Sequence, residues 1–232
     1  MFLKKLIIGF VATAIPSFAQ GKILVVGGTQ TNQKNLAAYT QDFVEEEVFY
    51  YFPNTNPFTA DHESDYQELY QTTLDFIGDD LDLKVISYSV GSKFAARLAE
   101  DLDAISQLVL LDPVDGPPPG QSISDRFPLF TKGNSTRNDL SVVIVATELG
   151  AKGGFLGVPC VSRDYGPGHF NKFYKEVTQT ELFTIKDAGH TDILYPPLKF
   201  LTRSACKKGN NAQAARENIN RLVNQFLLRS NP

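Results

Sequence analysis

Residues 85–93 read VISYSVGSK. A β-branched apolar run carries straight into Ser89, and Gly91 follows two residues later. The next ten residues, KFAARLAEDL (93–102), then repeat at helical spacing. Strand, tight turn and helix in that order put a serine hydroxyl at the end of a strand, where a G-x-S-x-G turn would expose it. Ser87 stands where that pattern has its first glycine. It is the smallest side chain after glycine and alanine, so the turn is sterically admissible.

Outward from this turn the chain alternates short apolar runs with amphipathic stretches. Strands are expected at KILVV (22–26, running into Gly27 and Gly28), EEVFYYFP (46–53), DLKVISYS (82–89), SQLVLLDP (106–113), DLSVVIVATELG (139–150) and TELFTIKDAG (180–189). Helical spacing is found over 33–43, from Ser64 to Gly78, over 93–102 and over 214–228. Several of the strand runs are apolar without alternation, as strands buried on both faces are. The pattern predicts an α/β fold: a doubly wound, mostly parallel sheet with helices on both faces and minimal N-terminal strands, forming one domain over residues 20–232. Residues 113–137 connect the fourth and fifth strands without a helical pattern. A connection of that length is uncommon in a compact domain, and its FPLF cluster (127–130) needs either packing or an apolar ligand to cover it.

The first nineteen residues have a different character. Lys4 and Lys5 precede the apolar stretch LIIGFVATAI, and Ser17, Phe18 and Ala19 follow Pro16. A basic start, a short apolar centre and small residues before a cut after Ala19 describe a signal peptide, too short to span a bilayer comfortably. The expectation is a protein that is secreted, or routed through that leader to a periplasm or organelle. In such an oxidising compartment Cys160 and Cys206, the only cysteines, are candidates for one disulfide. The formal charge of −4 gives no attraction to phosphate backbones, and no basic stripe accompanies it, so nucleic acid is not an expected partner.

A serine becomes a useful nucleophile when an imidazole takes its proton and an acid fixes the tautomer of that imidazole. The chain has three histidines, His62, His169 and His190. His62 precedes the serine, out of the order serine, acid, histidine that this kind of turn goes with. It lies in DHESD at a helix entry without metal-ligand spacing. His169, in YGPGHFNKFY, reads as a loop residue that lines or supports. His190 follows the last strand after an Ala-Gly turn and is the expected base. For the acid, Asp112 ends the strand after the serine's helix, at the sheet edge where open α/β sheets place their sites. Asp115, Glu148 and Asp187 are its competitors. Two backbone N–H groups are needed for a tetrahedral oxyanion, and the candidates are Val90 and, from the VVGGTQ loop, Thr29. That loop has neither G-x-G-x-x-G nor a phosphate-binding lysine.

With these residues assembled, the sequence resembles the chlorophyllase family of α/β hydrolases. The family's G-H-S-R-G-G-K is similar to SYSVGSK, sharing the serine, one glycine and Lys93. Its D-P-V-x-G corresponds to Asp112-Pro113-Val114-Asp115-Gly116, its K-D-Y-G-H-M-D-x-L to KDAGHTDIL, and its C-K-x-G to Cys206-Lys207-Lys208-Gly209. ELGAKGGFLGVPC and GPGHFNKFYKE also resemble the segment that follows the family's fifth strand. Departures fall at Ser87 for glycine, Tyr88 for histidine, Val90 for arginine and Ser92 for glycine. Gly27, Gly28 and Thr29 replace the oxyanion loop's own residues.

The resemblance implies Ser89 as nucleophile, Asp112 as acid and His190 as base, with no cofactor and no metal. It also implies a hydrophobic, chlorophyll-like ester as substrate, cleaved to chlorophyllide and phytol, and an apolar lining from the FPLF and GFLGV (154–158) segments. Handling such an ester suggests peripheral contact with a membrane or lipid. A lipase-like esterase for other hydrophobic esters and an inactive binding protein on the same fold are the alternatives.

Overall fold

The computed structural model describes residues 21–54, 62–115, 134–153, 160–161, 164–177, 179–197 and 206–229. The leader, FPLF and GFLGV lie outside the described residues. All six expected strands form: β1 (Lys22–Val26), β2 (Glu47–Tyr51), β3 (Leu83–Tyr88), β4 (Ile105–Leu111), β5 (Ser141–Thr147) and β6 (Gln179–Ile185). They make one sheet in the order β2-β1-β3-β4-β5-β6, and every neighbouring pair is parallel.

Successive residues of the central strands divide between two cores. Leu24, Val26, Val85, Leu108, Leu110, Val142 and Ile144 face one layer, which holds Tyr66 and Leu69 of α2 (His62–Ile77), Phe94, Leu98 and the alanines of α3 (Gly91–Asp101) and Phe170 and Phe173 of α4 (Pro167–Phe173). Ile23, Val25, Ile86, Val109, Leu111, Val143 and Val145 face the other, under Leu36 of α1 (Gln33–Leu36) and Ile219, Val223 and Phe226 of α5 (Ala212–Leu227). Apolar burial on both faces is why the strand runs lack alternation. The buried positions of α5 recur at helical spacing, and Asn211 caps its start by accepting the Ala214 N–H at 3.0 Å.

Two local expectations are corrected. The helix predicted over 33–43 passes into a 3-10 turn at Ala37–Tyr39. The Thr40 hydroxyl donates back to the Ala37 carbonyl there, competing with the helical ladder. His169, expected in a loop, lies on α4. Pro167 opens that helix at a position where its missing N–H costs nothing, and Phe170 and Phe173 bury its inner face.

Neighbouring β1 and β3 connect outward to opposite sides of the sheet, since β1 leads to β2 and β3 to β4. Such a reversal opens a crevice outside the carboxyl ends of the strands. Ser89 is the first residue beyond β3 at that edge.

Candidate active site

Ser89 occupies the corner between β3 and α3 with φ of 56°, in the left-handed region that L side chains avoid. Such a residue carries about 1–3 kcal/mol of local strain and persists where its surroundings over-determine it. Here its N–H donates to the Leu111 carbonyl at 3.0 Å, and its carbonyl accepts from Ser92 and Val114, both at 3.1 Å. Gly91 is obligatory, because a Cβ there would lie 2.3 Å from the Gly27 carbonyl oxygen. Gly28 is equally close-packed: its Cβ would meet the Ser89 Cβ at 2.7 Å. The first-strand loop therefore rests directly on the serine, and Thr29 and Val90 each lie within one residue of that contact.

Ser87 is fully buried, with its hydroxyl 3.1 Å from the Val109 carbonyl and 3.0 Å from the Ser92 hydroxyl. Two of the departures from the family pattern are thus partners of one another. Both hydroxyls sit under the start of α3 and have their hydrogen bonds satisfied, so the turn accepts serine where glycine was expected.

Asp112 follows β4, also with positive φ, 44°, and is 1% exposed. Its Oδ1 accepts the Thr147 N–H at 2.8 Å, and its Oδ2 accepts the Thr147 hydroxyl at 2.7 Å. Oδ2 also lies 2.8 Å from His190 Nδ1. The competing acids are engaged elsewhere. Asp115 faces Lys93 and His169, at 3.8 Å and 3.5 Å. Glu148 is exposed and accepts the Asp187 N–H, while Asp187 accepts from Asn210.

His190 begins the 3-10 turn His190–Ile193 after β6, and its Nε2 lies 2.9 Å from Ser89 Oγ. The serine, histidine and aspartate are each at least nine-tenths buried. Asp192, in the same turn, accepts the N–H groups of Gly189 at 2.8 Å and Gly209 at 2.6 Å. A disulfide joins Cys160 to Cys206, 46 residues apart, and Cys206 also bridges to Gly153. The segment that carries Gly209 to the histidine turn is anchored by these links. His62, by contrast, opens α2 with its ring edge-on to Phe94.

The candidates Ser89, His190 and Asp112, separated by up to 101 residues in sequence, thus meet in one hydrogen-bonded chain. With the carboxylate on Nδ1, that ring nitrogen carries the proton and Nε2 presents a lone pair to the hydroxyl. Such an arrangement can withdraw a proton from Oγ as it attacks a carbonyl carbon. Sequence reasoning did not pick out Thr147 or Asp192. Thr147 reads as an ordinary strand residue, though its position at the end of β5 on the same sheet edge was a signal. Asp192, three residues beyond Gly189 in AGHTD, has the spacing of a cap.

Solved structures share this architecture. The chain superposes with a TM-score of 0.56 on a structure reported with the metagenome-derived lipolytic enzymes LipS and LipT, at 12% identity, over 89% of this chain and 94% of that one. It matches Est1E from Butyrivibrio proteoclasticus with a TM-score of 0.54, at 11% identity, over 90% of this chain and 89% of that one. An α/β hydrolase from a Medee basin deep-sea metagenome library gives 0.54 at 13% identity, over 92% and 91%. The fold is that of the α/β hydrolases. A family model described as Chlorophyllase matches residues 54–230; the chain belongs to that family and is a carboxylic-ester hydrolase. No curated protein matches it in sequence.

Proposed function

We propose that the protein hydrolyses the phytyl ester of chlorophyll, or a closely similar hydrophobic ester, through Ser89, His190 and Asp112. The observation that carries this reading is the hydrogen-bonded chain itself, 2.9 Å from Ser89 Oγ to His190 Nε2 and 2.8 Å from Nδ1 to Asp112, set on a strained corner. Ser89 Oγ attacks the ester carbonyl while its proton passes to His190. Asp112 holds the ring and stabilises the imidazolium. The backbone N–H groups of Val90 and Thr29 receive the oxyanion. His190 then returns the proton to the leaving alcohol, and water releases the acid from Ser89 by the same route.

Family membership supports the chlorophyll ester as substrate and chlorophyllide and phytol as products. The Tyr88 and Val90 departures border the nucleophile and favour a second reading on the same machinery, an esterase for other hydrophobic esters. Export through residues 1–19 agrees with the Cys160–Cys206 disulfide, since such bonds persist in oxidising compartments.

The test is incubation with detergent-dispersed chlorophyll, with Ser89→Ala as control and a panel of short- and long-chain esters alongside. Chlorophyllide from the wild type alone is the expected result. Turnover of the panel without chlorophyllide rejects the chlorophyll substrate, and full activity of Ser89→Ala rejects the mechanism.

A further inference from the structure

Tyr88, the residue immediately before the serine, stands where the family pattern has histidine. It is 2% exposed, and its ring lies on the His190 imidazole with centroids 4.9 Å apart and planes 23° from parallel. Its hydroxyl donates to the His190 backbone carbonyl at 3.0 Å. One side chain therefore touches the base at both its ring and its main chain, while the backbone of the same residue leads into the nucleophile. The far end of the turn has its own tyrosine, Tyr39, whose hydroxyl donates to the Ile193 carbonyl at 2.7 Å. Tyr88 is the tyrosine that stacks on the imidazole itself.

Burial pushes the Tyr88 phenol well above its ordinary range, and the carboxylates of Asp112 and Asp192 push in the same direction. The hydroxyl thus stays protonated and donating at any working pH. The imidazole, by contrast, must gain a positive charge when it takes the serine's proton. A cation within about 6 Å of an aromatic face is attracted by the ring's quadrupole, more strongly when water is excluded.

We propose that Tyr88 is a positioning residue for the base: it fixes the plane of the His190 ring against Ser89 and offers its aromatic face to the imidazolium formed during ester cleavage. This rests on the reading of Ser89 and His190 as nucleophile and base. The contribution is larger in the transition state than in the resting enzyme, because the charge exists only there, so its loss falls on kcat.

The test uses the full chain with a soluble aryl ester, comparing wild type, Tyr88→Phe, Tyr88→Leu and Ser89→Ala for melting temperature, kcat, KM and the pH profile of kcat/KM. Tyr88→Phe keeps the stacked ring and loses the bond to the carbonyl, so kcat falls about 5-fold with the acidic limb unmoved. Tyr88→Leu loses both, so kcat falls about 100-fold at nearly constant KM, and the acidic limb moves to lower pH. A folded Tyr88→Leu enzyme with wild-type kcat and an unmoved limb overturns the proposal. If Tyr88→Leu does not fold, Tyr88→Met, which fills similar space without an aromatic face or a hydroxyl, decides, and a kcat within 2-fold of wild type overturns the proposal. Full activity of Ser89→Ala is a separate failure, that of the underlying reaction.

Discussion

The strands that carry Ser89 and Asp112 are buried almost throughout, whereas β6, which leads to His190, is at least partly exposed at every position but its last. At the first two positions the main chain sets the geometry: two positive φ values, 56° and 44°, each at the end of a central strand. At His190 side chains set it: Tyr88 and Tyr39 reach the turn from other elements, and Asp192 ties it down from within. One hydrogen-bonded chain thus rests on two kinds of support. The serine and acid are held by the sheet. The histidine is held by contacts that single substitutions can remove one at a time.

The largest effect is expected on the strand-held side. Asp112→Asn keeps the shape but presents the wrong group to Nδ1, and kcat on a soluble ester should fall about 10⁴-fold at neutral pH. A loss below 10-fold would show that the sheet-held acid is not needed. Opening the Cys160–Cys206 disulfide tests the other side. Chain entropy for a closed loop of that length gives about 4 kcal/mol, or a fall in melting temperature of about 12 °C. Calorimetry of the reduced and oxidised protein measures it, and equal melting temperatures would remove the disulfide from the account.

Asp192→Ala comes next, since it leaves the buried Gly189 N–H and the partly buried Gly209 N–H without their acceptor. A loss of about 2–3 kcal/mol is expected in urea unfolding, with kcat down about 10-fold. Asp192→Asn should recover most of both, because one amide oxygen can accept the two bonds that now go to one carboxylate oxygen. No recovery would mean that the charge, rather than the acceptor, matters. Ser87→Gly, which restores the glycine of the family pattern, is the smallest change. It should cost about 1 kcal/mol of stability through the bonds to Val109 and Ser92 and leave kcat within about 3-fold. A large gain in kcat would instead identify Ser87 as a brake on the enzyme.

The same contrast explains what could be read from the sequence. VISY, LVLL and VVIVA announce buried parallel strands without any tertiary information, and chain order then pairs Ser89 with Asp112 and His190. The backbone-held half of the site was legible for that reason. The supports of His190 were not, because a stack between Tyr88 and a residue 102 positions away is a product of the sheet's winding. Helix α4 was hidden by Gly166, Pro167 and Gly168, which read as breakers although proline suits a helix's first turn. Thr147 was hidden among β-branched strand residues. Its hydroxyl matters only once β4 and β5 lie side by side.

If Ser89 is an activated nucleophile, a fluorophosphonate reacts with it in the folded protein, and peptide mapping locates the adduct. Prompt labelling is expected, one adduct per chain on the peptide that carries Ser89, abolished by heat unfolding and strongly slowed in His190→Ala. A folded wild-type protein that takes up no label, or takes it up at another serine, would contradict it.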